Sequence, residues 1–190
     1  MRSGNSAQQI GFTLIELMVV VGIVAILGTI GVPSFRDMLL NQRLGTTAQA
    51  FGSALSFARM EAIQRAQSVK VAALSGNDWS SGWSVRVEQG GLEGTPQTLR
   101  RFDQFPQGVR VDTTLGTGFA QGLRYDGNGF SRQTAKSGFS AGCLTLKADT
   151  GRRMSIVVSA SGRAKVCNPD VPGDCGSGAC GKGGKEGDGA

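Results

Sequence analysis

A single apolar stretch near the N-terminus constrains the fold of this chain more than any other feature. Between Phe12 and Val32 the only charged residue is Glu16. A helix of about 20 residues spans the roughly 30 Å of a bilayer's hydrocarbon core, so this stretch predicts a transmembrane helix over residues 12–33. A carboxylate in hydrocarbon costs at least about 2.5 kcal/mol, so Glu16 needs a compensating charge.

The residues before the stretch indicate where that charge comes from. If the chain were cut between Gly11 and Phe12, the new α-amine would lie four residues before Glu16, on the same helix face. The amine would then neutralise Glu16 in its own chain or in a neighbouring subunit. A secretory signal is instead cut after its apolar core, at an Ala-x-Ala-like site, so the sequence favours a helix that is retained.

The segment Gly11–Leu17, which reads GFTLIEL after a short polar leader, resembles the prepilin cleavage site of type IV pilins and type II secretion pseudopilins. The resemblance implies that a prepilin peptidase removes residues 1–11 and N-methylates Phe12, and that Glu16 guides subunits into a fibre. It implies a single-pass protein of the bacterial inner membrane with a periplasmic C-terminal domain. The implied partners are the membrane, the prepilin peptidase, an inner-membrane assembly platform and other pilins or pseudopilins.

Hydrophobic periodicity divides the remaining chain into a helix and a sheet. Apolar residues at spacings of three and four predict an amphipathic helix over residues 34–67, and Pro33 predicts a kink before it. Alternating apolar and polar residues predict an antiparallel β domain over residues 68–167. The expected fold is α+β and pilin-like, with a long N-terminal helix, membrane-spanning in its first half, packed on an antiparallel β-sheet. The apolar stripe of the second helix consists of Leu44, Ala48, Phe51, Leu55, Ala58 and Ala62.

The β domain carries a second resemblance. Residues 58–62 (ARMEA), Trp79, Trp83, residues 123–129 (LRYDGNG) and residues 161–163 (SGR) occur in an order similar to that in minor pilins of the FimT and FimU group and in the minor pseudopilin H of type II secretion. The resemblance implies a low-abundance subunit at or near the tip of a fibre, acting in its assembly or priming. It does not distinguish a type IV pilus from a secretion pseudopilus. For the two tryptophans, burial in the core is the simpler expectation.

Histidine is absent, which limits the chemistry available to the chain. Without it there is no Ser-His-Asp site, no Cys-His site and no His-containing zinc site, so no enzyme activity or cofactor is expected. A four-cysteine zinc site is a minor alternative, because the cysteines lack the usual short Cys-x-x-Cys pairs, and no metal site is expected. In an oxidising periplasm the four cysteines are expected to form disulfides, and three pairings are open. The pairing Cys143–Cys167 with Cys175–Cys180 is favoured, because the last two lie close together in a Gly-rich tail. That tail, residues 168–190, is expected to be flexible.

The C-terminal half of the chain is strongly basic. Between residues 99 and 165 there are eleven basic and four acidic residues, and the whole chain has a net charge of +6. Such a surface attracts phosphates without sequence preference. Residues 162–165 (GRAK) resemble the Gly-Arg-x-Arg motif of FimT-type DNA-uptake pilins, with lysine in place of the second arginine. The alternative function is therefore a receptor for double-stranded DNA in natural transformation, although a solvated charged surface is the simpler interpretation. The candidate DNA contacts are Arg163, Lys165, Arg152 and Arg153.

Overall fold

The computed structural model describes residues 12–88, 95–115, 122–132, 138–139 and 141–176. Within these ranges the chain forms one long helix, nine strands and a short 3₁₀ turn. The elements are α1 (Leu14–Arg65), β1 (Val69–Ser75), β2 (Asp78–Val87), β3 (Gln97–Phe102), β4 (Val109–Val111), the 3₁₀ turn (Thr113–Leu115), β5 (Leu123–Tyr125), β6 (Ser131–Arg132), β7 (Gly142–Ala148), β8 (Arg153–Val158) and β9 (Ala164–Cys167).

The chain divides into two units, of which the first ends at Leu39 and the second begins at Leu40. In the first unit all described side chains are exposed, and its helix contains an apolar window long enough to cross a membrane, none of it buried. The unit boundary lies beyond Pro33, and Phe35 is exposed (60%), as are its neighbours in the first unit. Helix α1 is continuous through Pro33, and the kink at that residue stays a prediction.

In the second unit α1 buries the predicted stripe. All six residues of the stripe are 0% exposed, and they join side chains from the strands in one core cluster. Their spacing of three and four places them on one face of the helix. The amphipathic helix is therefore confirmed. It ends at Arg65, and Ala66 follows with a positive φ of 51°.

The strands form two antiparallel sheets. The first sheet has the strand order β3-β2-β1-β5-β6 and the second has the order β4-β7-β8-β9. Alternate residues of both sheets pack against α1, so each sheet has an inner face in the core and an outer face turned away from the helix. The predicted helix on antiparallel strands is confirmed, but a single sheet was expected. Alternation identifies strands and their buried sides, whereas the partner of each strand depends on long-range contacts that the pattern does not encode.

Both tryptophans are core residues, as expected. Trp79 and Trp83 are each 3% exposed. The Phe51 ring of α1 lies 5.2 Å from each of them, and the Phe102 ring stacks on Trp83 at 4.8 Å. Aromatic packing therefore connects α1 to β2 and β3.

A contact between two turns joins the sheets at one end. Gly162, between β8 and β9, has a φ of +81°, and a Cβ atom there would lie 2.0 Å from the carbonyl oxygen of Gly129. That oxygen accepts a hydrogen bond from Nε of Arg59 at 3.0 Å. The backbone N–H of Ser131 donates to the carbonyl oxygen of Ala160 at 3.1 Å. Only glycine combines this backbone conformation with so close an approach.

The disulfide pairing differs from the prediction. Cys167 on β9 is bonded to Cys175, and Cys143 on β7 is also disulfide-bonded. Cys180 lies outside the described residues. Because β8 separates β7 from β9, Cys143 and Cys167 are about 10 Å apart, beyond the roughly 7 Å reach of a disulfide. The predicted pairs Cys143–Cys167 and Cys175–Cys180 are therefore wrong.

The segment after β9 is partly ordered, contrary to the expectation of a flexible tail from residue 168. Residues 168–176 form turns. The Oδ2 atom of Asp174 accepts a hydrogen bond from the backbone N–H of Asn168 at 2.6 Å, and the disulfide at Cys175 fastens the segment to β9. These contacts supply the order that apolar burial alone would not. The remainder of the predicted tail, residues 177–190, lies outside the described ranges.

Candidate functional site

The first candidate site is the N-terminal end of α1. The hydroxyl of Thr13 accepts a hydrogen bond from the backbone N–H of Glu16 at 3.3 Å, and Leu14 is the first helical residue. Thr13 is thus the N-cap, and Glu16 occupies the third helical position, where the helix dipole favours a carboxylate. Thr13 and Glu16 have the spacing of a capping box, a role that the sequence reasoning missed although the pattern Thr-x-x-Glu is visible in the sequence.

Glu16 has an exposed side chain, and its carboxylate has no ion pair within the described ranges. The neighbouring apolar side chains are exposed as well, for example Phe12 at 83% and Ile15 at 68%. The arrangement is an apolar helical surface that bears one carboxylate close to its beginning. Gly11 lies outside the described residues, so cleavage after it and methylation of Phe12 stay predictions.

The second candidate site is the outer face of the second sheet, where carboxylates engage two of the predicted DNA contacts. Arg153 forms an ion pair with Asp170, and its Nη1 lies 3.7 Å from Oδ2 of Asp112. Nζ of Lys165 lies 3.5 Å from Oδ1 of Asp174. Two of these three carboxylates, Asp170 and Asp174, belong to the segment after β9. These ion pairs reduce the positive charge that Arg153 and Lys165 present to an external anion.

Two of these carboxylates, Asp112 and Asp174, are ionised at neutral pH. Burial raises the pKa of Asp112, but hydrogen bonds from Thr114 and the charge of Arg153 outweigh that effect and hold the pKa below its usual range. The backbone hydrogen bond from Asn168 is the main cause of the lowered pKa of Asp174. Asp112 and Asp174 therefore carry a negative charge beside Arg153 and Lys165 at neutral pH.

Arg163 and Arg152 are exposed and have no ion-pair partner among the described residues. The pairing of Val158 with Ala164 places Arg163 near the end of β8, whereas Arg152 precedes the first residue of that strand. At about 3.3 Å per residue, roughly 20 Å separate the two backbone positions. The four predicted DNA contacts are thus not brought together in one anion site.

A groove opens between the edge strands of the two sheets. It has a volume of about 540 Å³, with Arg100 of β3 on one side and Ala164 and Val166 of β9 on the other. On its floor, formed by α1, Met60 is 62% exposed, and the Arg100 guanidinium lies 5.9 Å from the centre of the Phe57 ring. Edge strands leave backbone groups unpaired, so this concavity is suited to contact with another chain. The remaining lining residues are Gln49, Gly52, Ser53 and Ser56.

Comparison with known proteins gives matches to both parts of the chain. The family described as type II transport protein GspH matches residues 47–162, and the prokaryotic N-terminal methylation motif matches residues 6–32. Among curated proteins, prepilin peptidase-dependent protein D of Escherichia coli (strain K12) is 52% identical over 44 residues, which cover 23% of this chain and 30% of that protein. The match thus spans less than a third of that relative's length.

Two solved structures share the fold. The type IV minor pilin FimU of Pseudomonas aeruginosa (strain PAO1) aligns with a TM-score of 0.53 and 21% identity, covering 71% of this chain and 96% of that one. The minor pseudopilin EpsH from the type 2 secretion system of Vibrio cholerae aligns with a TM-score of 0.51 and 14% identity, covering 68% and 99%. At this level of identity the likeness concerns the fold alone.

Proposed function

This chain belongs to the family of the type II transport protein GspH, and on that premise we propose that it is incorporated at or near the tip of a type IV pilus or a type II secretion pseudopilus. Family membership and the methylation motif make it a membrane-anchored minor pilin or pseudopilin. We further propose a single membrane pass, a periplasmic β domain and a role in fibre assembly or priming without enzyme activity. Its proposed partners are other pilins, the prepilin peptidase and an inner-membrane assembly platform.

The observation that supports this proposal is the exposure of every described side chain in the first helical unit. From Phe12 to Leu39 every described side chain is exposed. So much apolar surface requires another apolar environment, either lipid or the helices of neighbouring subunits. A subunit that leaves the bilayer for a fibre exchanges the first environment for the second.

Glu16 determines how neighbouring helices are staggered when the subunit enters the fibre. After cleavage at Gly11, the amine of Phe12 carries a positive charge at the start of the helix. A neighbouring subunit's Glu16 compensates that charge when the two helices are staggered so that the groups meet. In an apolar environment the pair excludes other staggers, because each of them leaves a charge unpaired.

Replacement of Glu16 tests this function. Glu16→Ala is expected to leave membrane insertion and cleavage intact, with Phe12 as the first residue by mass spectrometry, and to abolish recovery of the protein with sheared fibres. Asp37→Ala, which removes an exposed carboxylate farther along the same helix, serves as the matched control and should be incorporated normally. Wild-type incorporation of Glu16→Ala would contradict the proposal.

The second candidate function is binding of double-stranded DNA during DNA uptake. The net charge of +6 and the exposed Arg163, which has no ion pair among the described residues, favour it. The ion pairs of Lys165 with Asp174 and of Arg153 with Asp170 count against it, because those carboxylates compete with phosphate. Arg163 and Arg152 are therefore the predicted DNA contacts that stay available.

A mobility-shift titration with duplex DNA at increasing salt tests the second function. The full chain in nonionic detergent should bind at low salt, and Arg163→Ala with Lys165→Ala should weaken binding and flatten the salt dependence. Absence of a shift even at low salt would refute this candidate and leave the fibre function untouched.

A further inference from the structure

Strand pairing places four basic side chains in one row on the outer face of the first sheet. In the β-sheet register Arg86 faces Lys70, Lys70 faces Arg124, and Arg124 faces Arg132. Directly paired residues project from the same face, and Lys70 alternates with the fully buried Val69 and Val71, so the row lies on the side away from α1. These four residues are called the cation row. It crosses four adjacent strands and is about 14 Å long.

The cation row is only partly compensated within the described residues. Arg124 lies 3.7 Å from Glu88, and Nε of Arg132 lies 2.7 Å from Asp126. Lys70 and Arg86 have no ion pair there. In addition, Nε of Arg124 is shielded from solvent without a hydrogen-bond partner. Like charges directly opposite each other on a sheet are destabilising, so the cation row lowers the stability of the native state.

On the second sheet, a similar row of cations is balanced by an equal number of carboxylates. There Arg110, Lys147 and Arg153 are paired in the same way across three strands. Arg110 has an ion pair with Asp149, and Arg153 contacts two carboxylates, so the acids equal the cations in number. The surplus on the first sheet is therefore a specific feature of that sheet and does not follow from the basic composition alone.

Exposed aromatic rings lie at the β6 end of the cation row. Phe139, which forms a β-bridge with Arg132, is 53% exposed, and Phe130 is 39% exposed. The guanidinium of Arg132 lies 4.1 Å from the centre of the Phe139 ring, and the two phenylalanine rings are 5.6 Å apart. A protein partner with an acidic surface would need only the cations and would give the exposed rings no role. Cations beside exposed rings suit a ligand with phosphates and unstacked bases.

We propose that the outer face of the first sheet binds single-stranded nucleic acid. The phosphates lie along the cation row, where Lys70 and Arg86 are the cations without an internal partner, and a base stacks on Phe139. A duplex fits less well, because its bases are already paired and stacked. The cation row and Phe139 do not include Arg163, so the proposal rests on other residues than the duplex-DNA candidate and does not depend on the fibre function.

The test is fluorescence anisotropy of a labelled oligothymidylate titrated with the full chain in nonionic detergent at several salt concentrations. The two cations of the row without an internal partner, Lys70 and Arg86, predict a slope of log affinity against log salt of about −1.4. Lys70→Gln with Arg86→Gln should reduce the magnitude of that slope by about 1.4 and weaken binding at low salt roughly tenfold. Phe139→Ala should weaken binding roughly tenfold without changing the slope, since a stacking contact releases no counterions.

The matched control is Arg110→Gln with Lys147→Gln, which removes two cations from the row on the second sheet and should leave binding within twofold of wild type. Equal losses in both double variants would overturn the proposal, because a general charge effect would then account for the affinity. Binding of a duplex as tight as that of the oligothymidylate, with Phe139→Ala unaltered, would also overturn it. Binding of polyglutamate without oligothymidylate binding would point instead to an acidic protein partner.

Lys70→Gln with Arg86→Gln removes charge repulsion, so the urea midpoint of this double variant should equal or exceed that of wild type. That result would exclude misfolding as the cause of lost binding.

Discussion

The contact between Gly162 and Gly129 allows a quantitative test of how the two sheets are joined. Replacing Gly162 with alanine imposes two separate penalties. A non-glycine residue at φ +81° costs about 1–2 kcal/mol. The added methyl would also lie 2.0 Å from the Gly129 oxygen and 3.1 Å from Cε1 of Tyr125, so the turns must separate. Overpacking of this kind costs about 1–3 kcal/mol, and we expect Gly162→Ala to lower the free energy of unfolding by about 2–5 kcal/mol in total.

Gly151 supplies a matched control. It lies in the turn between β7 and β8 with a φ of +91°, and a Cβ atom there would meet nothing within 4 Å. Gly151→Ala should therefore cost only the backbone part, about 1–2 kcal/mol. Urea unfolding followed by tryptophan fluorescence measures both variants, because Trp79 and Trp83 are buried in the native state. If Gly162→Ala is no more destabilised than Gly151→Ala, the steric argument for the junction between the sheets is refuted.

Three further predictions concern the core, the acid side of the ion pairs and the disulfide. Phe51→Ala removes a fully buried ring that contacts both tryptophans and should lower the free energy of unfolding by about 3–5 kcal/mol in the same urea assay. The pKa of Asp112 is lower in the folded state than in the unfolded chain, so its stabilising contribution is present at neutral pH and is lost as the pH falls below about 4. Asp112→Asn should therefore have a lower free energy of unfolding than wild type at pH 7, and should lose less of it between pH 7 and pH 3. An equal loss in the two proteins, measured by urea unfolding at both pH values, would contradict this. Cys167→Ser with Cys175→Ser opens a disulfide loop with a sequence separation of 8, which should cost about 2.5 kcal/mol and increase proteolysis within residues 168–176.

The parts of the fold that local patterns control were predictable from sequence. The stripe from Leu44 to Ala62 follows from helical spacing, and the burial of Trp79 and Trp83 follows from their apolar area. The capping interaction of Thr13 with Glu16 is local as well, and the Thr-x-x-Glu spacing in the sequence indicates it.

The features that depend on long-range pairing were not predictable. Lys70, Arg86 and Arg124 are far apart in sequence, and only the register of β1, β2 and β5 aligns them. The disulfide prediction failed for the same reason, since sequence proximity favoured Cys175–Cys180 while the strand order kept Cys143 away from Cys167. The ion pairs of Arg153 and Lys165 arise because the chain turns back over the second sheet after β9, which composition does not reveal.

The segment of residues 168–176 behaves as a built-in counterion for the second sheet. A shortened version of the chain that stopped at the last strand would lose Asp170 and Asp174 together and would leave Cys167 as a free thiol. In such a fragment Arg153 and Lys165 would lack these two carboxylate partners. It would therefore bind polyanions more strongly than the intact protein does. Any DNA affinity attributed to this domain is therefore meaningful only when the C-terminal carboxylates and their disulfide are present in the sample.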